Sequence, residues 1–210
     1  MIVLESCANS MSSKLNYYRA INTITTHSLL HLLFIIKGQK RFVPVKHRNE
    51  ILVKWLKPRL SLKGYAPIKK ELKDLIHIGR KSGADLESKL WELADLSKEM
   101  LATFTDADLL YILFTNLAEK YDYGSCLLSD NEPEFEENTI YMSEKDIEFG
   151  FDDNNKQVCP VQLWVKSSEP EQILEYLREC SEHHHAHVIS STDGILQLSL
   201  SISDTHGNNI

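Results

Sequence analysis

An α+β fold is what the sequence predicts, on three observations. Apolar residues recur at helical spacing from about residue 12 to residue 121. After Gly124 they alternate one by one, the pattern of half-buried strands. Near the end, Thr192-Asp193-Gly194 separates two alternating runs with the dipeptide that tight hairpins favour. About five helices should therefore lead into a small sheet region of sequence order βββαββ.

Residues 13–36 carry Leu15, Ile21, Ile24, Leu29, Leu30, Leu33 and Phe34 at positions that suit one or two helices, with Ser12 or Ser13 as cap and Gly38 as terminator. Pro44, between Phe42, Val43 and Val45, makes 39–48 an extended or edge segment. Asn49 can cap a short helix over 50–57, which Pro58 ends because its ring clashes with the preceding turn and it donates no hydrogen bond. A helix over 67–80 sets Ile68, Leu72, Leu75 and Ile76 on one face and Lys69, Lys73, His77 and Arg80 on another. Asp85 should cap the next helix, through Leu101, burying Leu86, Leu90, Leu93 and Leu101. Thr105 and Asp108 make a variant capping box for a helix to about Tyr121, apolar on most sides.

Runs at 125–129, 139–143 and 147–151 read as strands, the last with Ile147, Phe149 and Phe151 on one face. Val161, Leu163 and Val165 alternate with Gln162, Trp164 and Lys166, so Trp164 should point away from the valines. Ser168 and Glu171 form a capping box for a helix whose stripe is Ile173, Leu174, Leu177 and Cys180. Strands at 187–191 and 196–202 follow, the second with Leu196, Leu198, Leu200 and Ile202 toward the core. The expected organisation is a basic-to-neutral helical region (1–123), an acidic α/β region (124–204) and a frayed tail (205–210), with the helix before Gly124 able to join the sheet. Counted with that helix, the back half runs helix, three strands, helix, two strands. This order resembles the type III secretion chaperones over less than half the chain, and the resemblance implies a small acidic protein that binds partners without catalysis.

Charge is distributed unevenly. Residues 1–81 hold 16 Lys and Arg against four acids, and the remainder holds seven bases against 26 acids, although the whole chain is only at −7. Such a split argues about partners, because summed charge sets the long-range field, and the halves could equally pair with each other. Hydrophobic content of 42% with 25% charged residues is that of a folding chain rather than a disordered one. Cys7, Cys126, Cys159 and Cys180 are too widely spaced for a zinc motif and read as free thiols in a reducing compartment. No signal peptide or membrane span is written in the sequence, so a cytoplasmic location is expected.

The eight glycines never cluster, so phosphate-cradling loops and the serine-hydrolase elbow lack their usual sequence support, and no cofactor is expected. The side chains best suited to successive phosphates are Lys69, Lys70, Lys73, His77, Arg80 and Lys81, with Arg48 and Lys54 upstream. A solvated lysine face is the ordinary fate of such a helix, and Trp55 and Phe42 read as core rather than as stacking platforms. His183 and His187 are the metal candidates, sharing a face only if a helix continues through 187. Between Asp130 and Asp153 ten acids face one base, Lys145. Glu134, Glu136 and Glu137, together with Trp164, are the candidate partner-binding residues. The leading expectation is a non-enzymatic interaction or accessory protein, its basic part meeting nucleic acid or an acidic partner and its acidic part docking on another protein. The alternatives are a metal-dependent hydrolase or nuclease built on the histidines, and an antitoxin-like or immunity-type protein with an acidic binding surface.

Overall fold

A computed structural model describes residues 2–39, 41–128, 135–167 and 169–202. Among the described residues the α-helices are α1 (Ile2–Lys37), α2 (Val45–Leu56), α3 (Lys69–Arg80), α4 (Leu86–Leu101), α5 (Asp106–Tyr121), α6 (Glu144–Gly150) and α7 (Pro170–Cys180). The strands are β1 (Gly124–Leu128), β2 (Thr139–Ser143), β3 (Val161–Lys166), β4 (His184–Thr192) and β5 (Ile195–Ile202). The architecture is α+β, helices first and a five-stranded sheet after them. No helix among the described residues is long and apolar enough to cross a membrane. The chain forms two compact units, one of residues 13–103 and one of residues 1–12 with 104–210.

The helical unit is built around Ile24, Leu32, Leu52, Leu56, Ile68, Leu72, Leu86 and Leu90, all fully buried. Pro44 stands at the N-cap of α2 in an extended conformation, so the helix begins five residues before the start expected with Asn49 as its cap. Asn49 consequently lies one turn inside α2 and is only 4% exposed. Its side-chain amide serves other elements: Nδ2 donates to the Ala84 carbonyl at 2.7 Å, and Oδ1 accepts from the Leu86 N–H at 3.1 Å. Leu86 opens α4, and its N–H is one of those that a helix start leaves without an intrahelical partner. Asp85 caps the same helix by accepting from the Ser88 N–H. Gly79 lets α3 come close: a Cβ there would lie 2.5 Å from a Val53 methyl and 2.7 Å from a Leu86 methyl. The α4 stripe is Leu86, Leu90, Ala94 and Ser97, while Leu93 and Leu101 stay partly exposed. In α1, Leu30, Leu33 and Phe34 are exposed although their spacing is helical.

In the second unit the expected Thr105–Asp108 capping box is present, with Thr105 Oγ1 accepting from the Asp108 N–H and Asp108 Oδ2 from the Thr105 N–H. From α5, Leu110, Leu113 and Leu117 join Ile173 and Leu177 of α7 over the face formed by Ile140, Val161, Leu163, Val165, Leu196, Leu198 and Leu200. That packing takes α5 into the sheet's core, so the compact units divide at 103/104 and not at 123/124. Strand order is β1-β2-β3-β5-β4, with β1 and β2 parallel and the other pairs antiparallel. Thr192, expected in the connection, ends β4, so Asp193 and Gly194 alone form the turn, and both have positive φ as a tight two-residue hairpin requires. Residues 147–151 do not form the expected strand. Ser143 Oγ accepts from the Asp146 N–H and starts α6 instead, leaving Ile147 and Phe149 exposed. The expected Ser168–Glu171 box and the tail at 205–210 fall outside the described residues or side chains.

Replacing Asn49 with Ala removes the partner of the buried Leu86 N–H and of the partly buried Ala84 carbonyl and should lower unfolding stability by about 2 kcal/mol, read from urea denaturation. Gly79→Ala, although alanine favours helix, should lower stability by about 1–2 kcal/mol through overpacking. An unchanged or raised midpoint would show that Val53 and Leu86 yield freely.

Candidate functional site

Helix α3 displays the predicted basic stripe. With Leu72, Leu75 and Ile76 buried, rotation of about 100° per residue brings Lys69, Lys73, His77 and Arg80 within one exposed sector. At 1.5 Å rise per residue the stripe is about 16 Å long. Lys70 and Lys81 are exposed beside it. Among the described residues none of these lysines or Arg80 forms an ion pair. Of the two acids on this helix, Glu71 is half-buried and accepts a hydrogen bond from the Tyr17 hydroxyl at 3.1 Å. Burial first, and then the charge and hydrogen bond of Glu71, raise the Tyr17 pKa, so this contact keeps its proton at neutral pH. Asp74 remains exposed on the flank. Residues 13–103 hold 18 bases and eight acids, a net +10.

The upstream candidates divide. Arg48 is half-buried with its guanidinium 2.8 Å from the Glu87 carboxylate, so it ties α2 to α4. Lys54 is exposed and lines a cavity of about 430 Å³ with His31, Ile35, Trp55, Pro58 and Arg59. Trp55 packs on the core, as expected, with the Arg59 guanidinium 3.2 Å above its ring and His31 stacked at 5.7 Å. Burial, and then the Arg59 charge, lower the His31 pKa. Phe42 corrects the sequence reading: it is 84% exposed, because Val43 beside it takes the buried position.

On the acidic unit, Glu134 lies outside the described residues, whereas Glu136 and Glu137 are exposed. The Glu136 N–H donates to the Tyr141 hydroxyl at 2.9 Å, the Phe135 ring meets Tyr141 edge-on, and the Phe135 carbonyl accepts from Lys166 Nζ. Tyr141 is directly opposite Trp164 in the β2–β3 register, and Trp164 is half-buried on the face away from Val161 and Val165, as expected. Of the four predicted partner residues, Glu136 is thus bonded through its backbone to Tyr141, the residue that lies opposite Trp164, and Glu137 bridges to Lys166. A cleft lies between α5 and α6, and the sequence carries no signal for it because the alternation of Ile147, Phe149 and Phe151 predicts a strand where its wall is helical.

The histidine run is in the strand, not in a continued helix. Helix α7 ends at Cys180 and β4 begins at His184, so His183 and His187 do not share a helix face. Among the described residues no group of three or more His, Cys, Asp and Glu side chains is arranged to hold a metal ion. His185 and His187 are exposed, while His184 is 6% exposed with Nδ1 2.7 Å from Ser181 Oγ. On the neighbouring helices Tyr121 stacks on Tyr176 and donates to Glu179, a hydrogen bond that pushes its pKa up to about 12 and keeps it protonated.

A family model described as "Protein of unknown function (DUF2913)" matches residues 16–189. No curated protein and no solved structure matches the chain.

Burial, reinforced by the charges of His183 and His185, lowers the His184 pKa from 6.5 to about 4. As pH falls, the unfolded chain therefore takes up this proton before the folded one does. The stability tied to neutral His184 is present in full above about pH 6.5 and is lost toward pH 4, by about 3 kcal/mol. Urea midpoints across that window should fall for the native chain, and the His184→Gln variant should lose this component of the slope. An unaltered slope in the variant would place the titration elsewhere.

Proposed function

We propose, for a chain that belongs to the DUF2913 family of proteins of unknown function, the role of a non-enzymatic accessory protein with two clients. Its helical unit contacts the phosphate backbone of a nucleic acid, and its mixed unit docks on a protein. The observation that carries the first contact is the α3 stripe: Lys69, Lys73, His77 and Arg80 on one exposed sector, with Lys70 and Lys81 alongside and Glu71 turned to Tyr17. A row of cations along about 16 Å of helix suits consecutive phosphates, and backbone neutralisation supplies affinity without base readout. Lys54 belongs to the same basic unit, and the Arg48–Glu87 pair makes that arginine a support rather than a contact.

Docking of the acidic unit is supported by the patch of Glu136, Glu137 and Trp164 around Tyr141, which combines carboxylates with a half-buried aromatic surface. Aromatic residues are enriched at the centres of protein interfaces, with charged groups at the polar rim. Residues 104–210 together with 1–12 hold five bases and 22 acids, a net −17, which favours a basic partner.

Fluorescence anisotropy with a labelled DNA duplex tests the first contact. If Lys69, Lys73 and Arg80 neutralise one phosphate each, log Kobs should fall against log salt with a slope of about −2.7. The triple variant Lys69→Glu, Lys73→Glu, Arg80→Glu should weaken low-salt binding by more than about tenfold and flatten the slope, whereas Lys120→Glu with Lys156→Glu should do neither. Absence of binding by the native chain at low salt would overturn the reading.

A further inference from the structure

The cleft beside α5 has the size, lining and charge of a binding site, and its geometry is separate from the Glu136–Trp164 patch. It encloses about 440 Å³ within the second unit, in the range of pockets that take a ligand group. Leu110 and Phe114 of α5, Met142 of β2, and Ile147 and Phe151 give it an apolar floor and wall. Glu148, Asp152 and Asp153 line the same space and are exposed to water, so carboxylates rim an apolar hollow.

The rim is held in place. Asp152 Oδ1 accepts from the N–H groups of Asn154 and Lys156, each at 2.9 Å, and the Asn155 N–H returns to the Asp152 carbonyl at 2.8 Å. Asn155, at φ 57, turns its carbonyl to the Ala107 N–H in the first turn of α5. One residue before Ala107, Asp106 Oδ2 accepts from the Gln157 N–H at 2.8 Å. The 152–157 turn is thus tied at two points to the helix that forms the opposite wall, so little ordering is left for a ligand to impose.

We propose that this cleft docks a basic peptide segment of a partner protein: one aromatic or long aliphatic side chain enters the hollow, and flanking Lys or Arg residues lie against Glu148, Asp152 and Asp153. Charge complementarity selects the occupant. The hollow rewards burial of apolar surface, the three carboxylates favour cations at its mouth, and the field of a unit at −17 draws such a segment in. An exposed lip suits a chain that continues on both sides of one buried anchor. The proposal deepens the protein-docking half of the role described above by giving it a place and a partner chemistry, and it is independent of the α3 stripe.

The probe is a short labelled peptide with a central tryptophan between pairs of lysine and arginine, titrated into the full chain at low salt. Binding should weaken about tenfold or more in the Glu148→Lys, Asp153→Lys variant and in Ile147→Asp, all at exposed positions. It should also weaken when the peptide tryptophan becomes serine. Glu175→Lys with Glu182→Lys makes the same charge change elsewhere in the unit and should cost no more than about twofold. Equal losses from the two charge variants, or indifference to the tryptophan, would overturn the cleft by reducing the binding to diffuse attraction. If binding instead falls only with Glu136→Lys and Glu137→Lys, docking moves to the sheet face and the cleft is overturned while the unit's role stands. No binding by the native chain would remove the cleft and, for a partner of this chemistry, the docking role as well.

Discussion

One buried amide holds the helical unit in register. Asn49 donates to Ala84 and accepts from Leu86, so the turn between α3 and α4 is tied to α2 by one part-buried and one buried hydrogen bond. The approach is close because Gly79 has no side chain to set against Val53 and Leu86. Arg48, one residue before the amide, adds its ion pair to Glu87 along the same seam. Packing orients α3: Leu72, Leu75 and Ile76 face inward and the cations face outward. The polyanion reading depends on that orientation more than on the number of lysines.

The acidic unit uses the same device with other atoms. The turn at 152–157 is bonded to the start of α5 through Asn155 and Asp106, while α5 itself is packed into the sheet by Leu110, Leu113 and Leu117. A carboxylate on an anchored turn presents its charge at a defined place, whereas one on a frayed loop presents an average. Each unit therefore combines its own apolar core with a surface array in which one charge sign predominates.

Much of this was legible where local chemistry decides. Thr105 and Asp108 specify a helix start, Asp193-Gly194 a hairpin, and the spacing of Leu72, Leu75 and Ile76 a buried face, each within a few residues of sequence. The misses fall where two local signals compete or a distant partner decides. Asn49 has the side chain of a cap, but Pro44 starts the helix earlier and Ala84 and Leu86 claim the amide. Ile147, Phe149 and Phe151 alternate like a strand, but the Ser143 cap wins and makes the wall of the cleft helical. His183 and His187 share a face only if a helix continues through 187, whereas α7 ends at Cys180 and pairing with β5 makes the strand begin at His184, three residues before its expected start. The order helix, three strands, helix, two strands is present with α6 inserted, and with no matching solved structure that order supports no functional transfer.

The central claim is that a fixed cation row on α3, rather than net charge at large, meets the nucleic acid. Lysine acetylation of the full chain with and without a DNA duplex, read residue by residue by mass spectrometry, tests it most directly. The account predicts protection concentrated at Lys69, Lys70, Lys73 and Lys81, with Lys120, Lys145 and Lys156 unchanged. Protection spread evenly over the chain's lysines, or absent from α3, would contradict it.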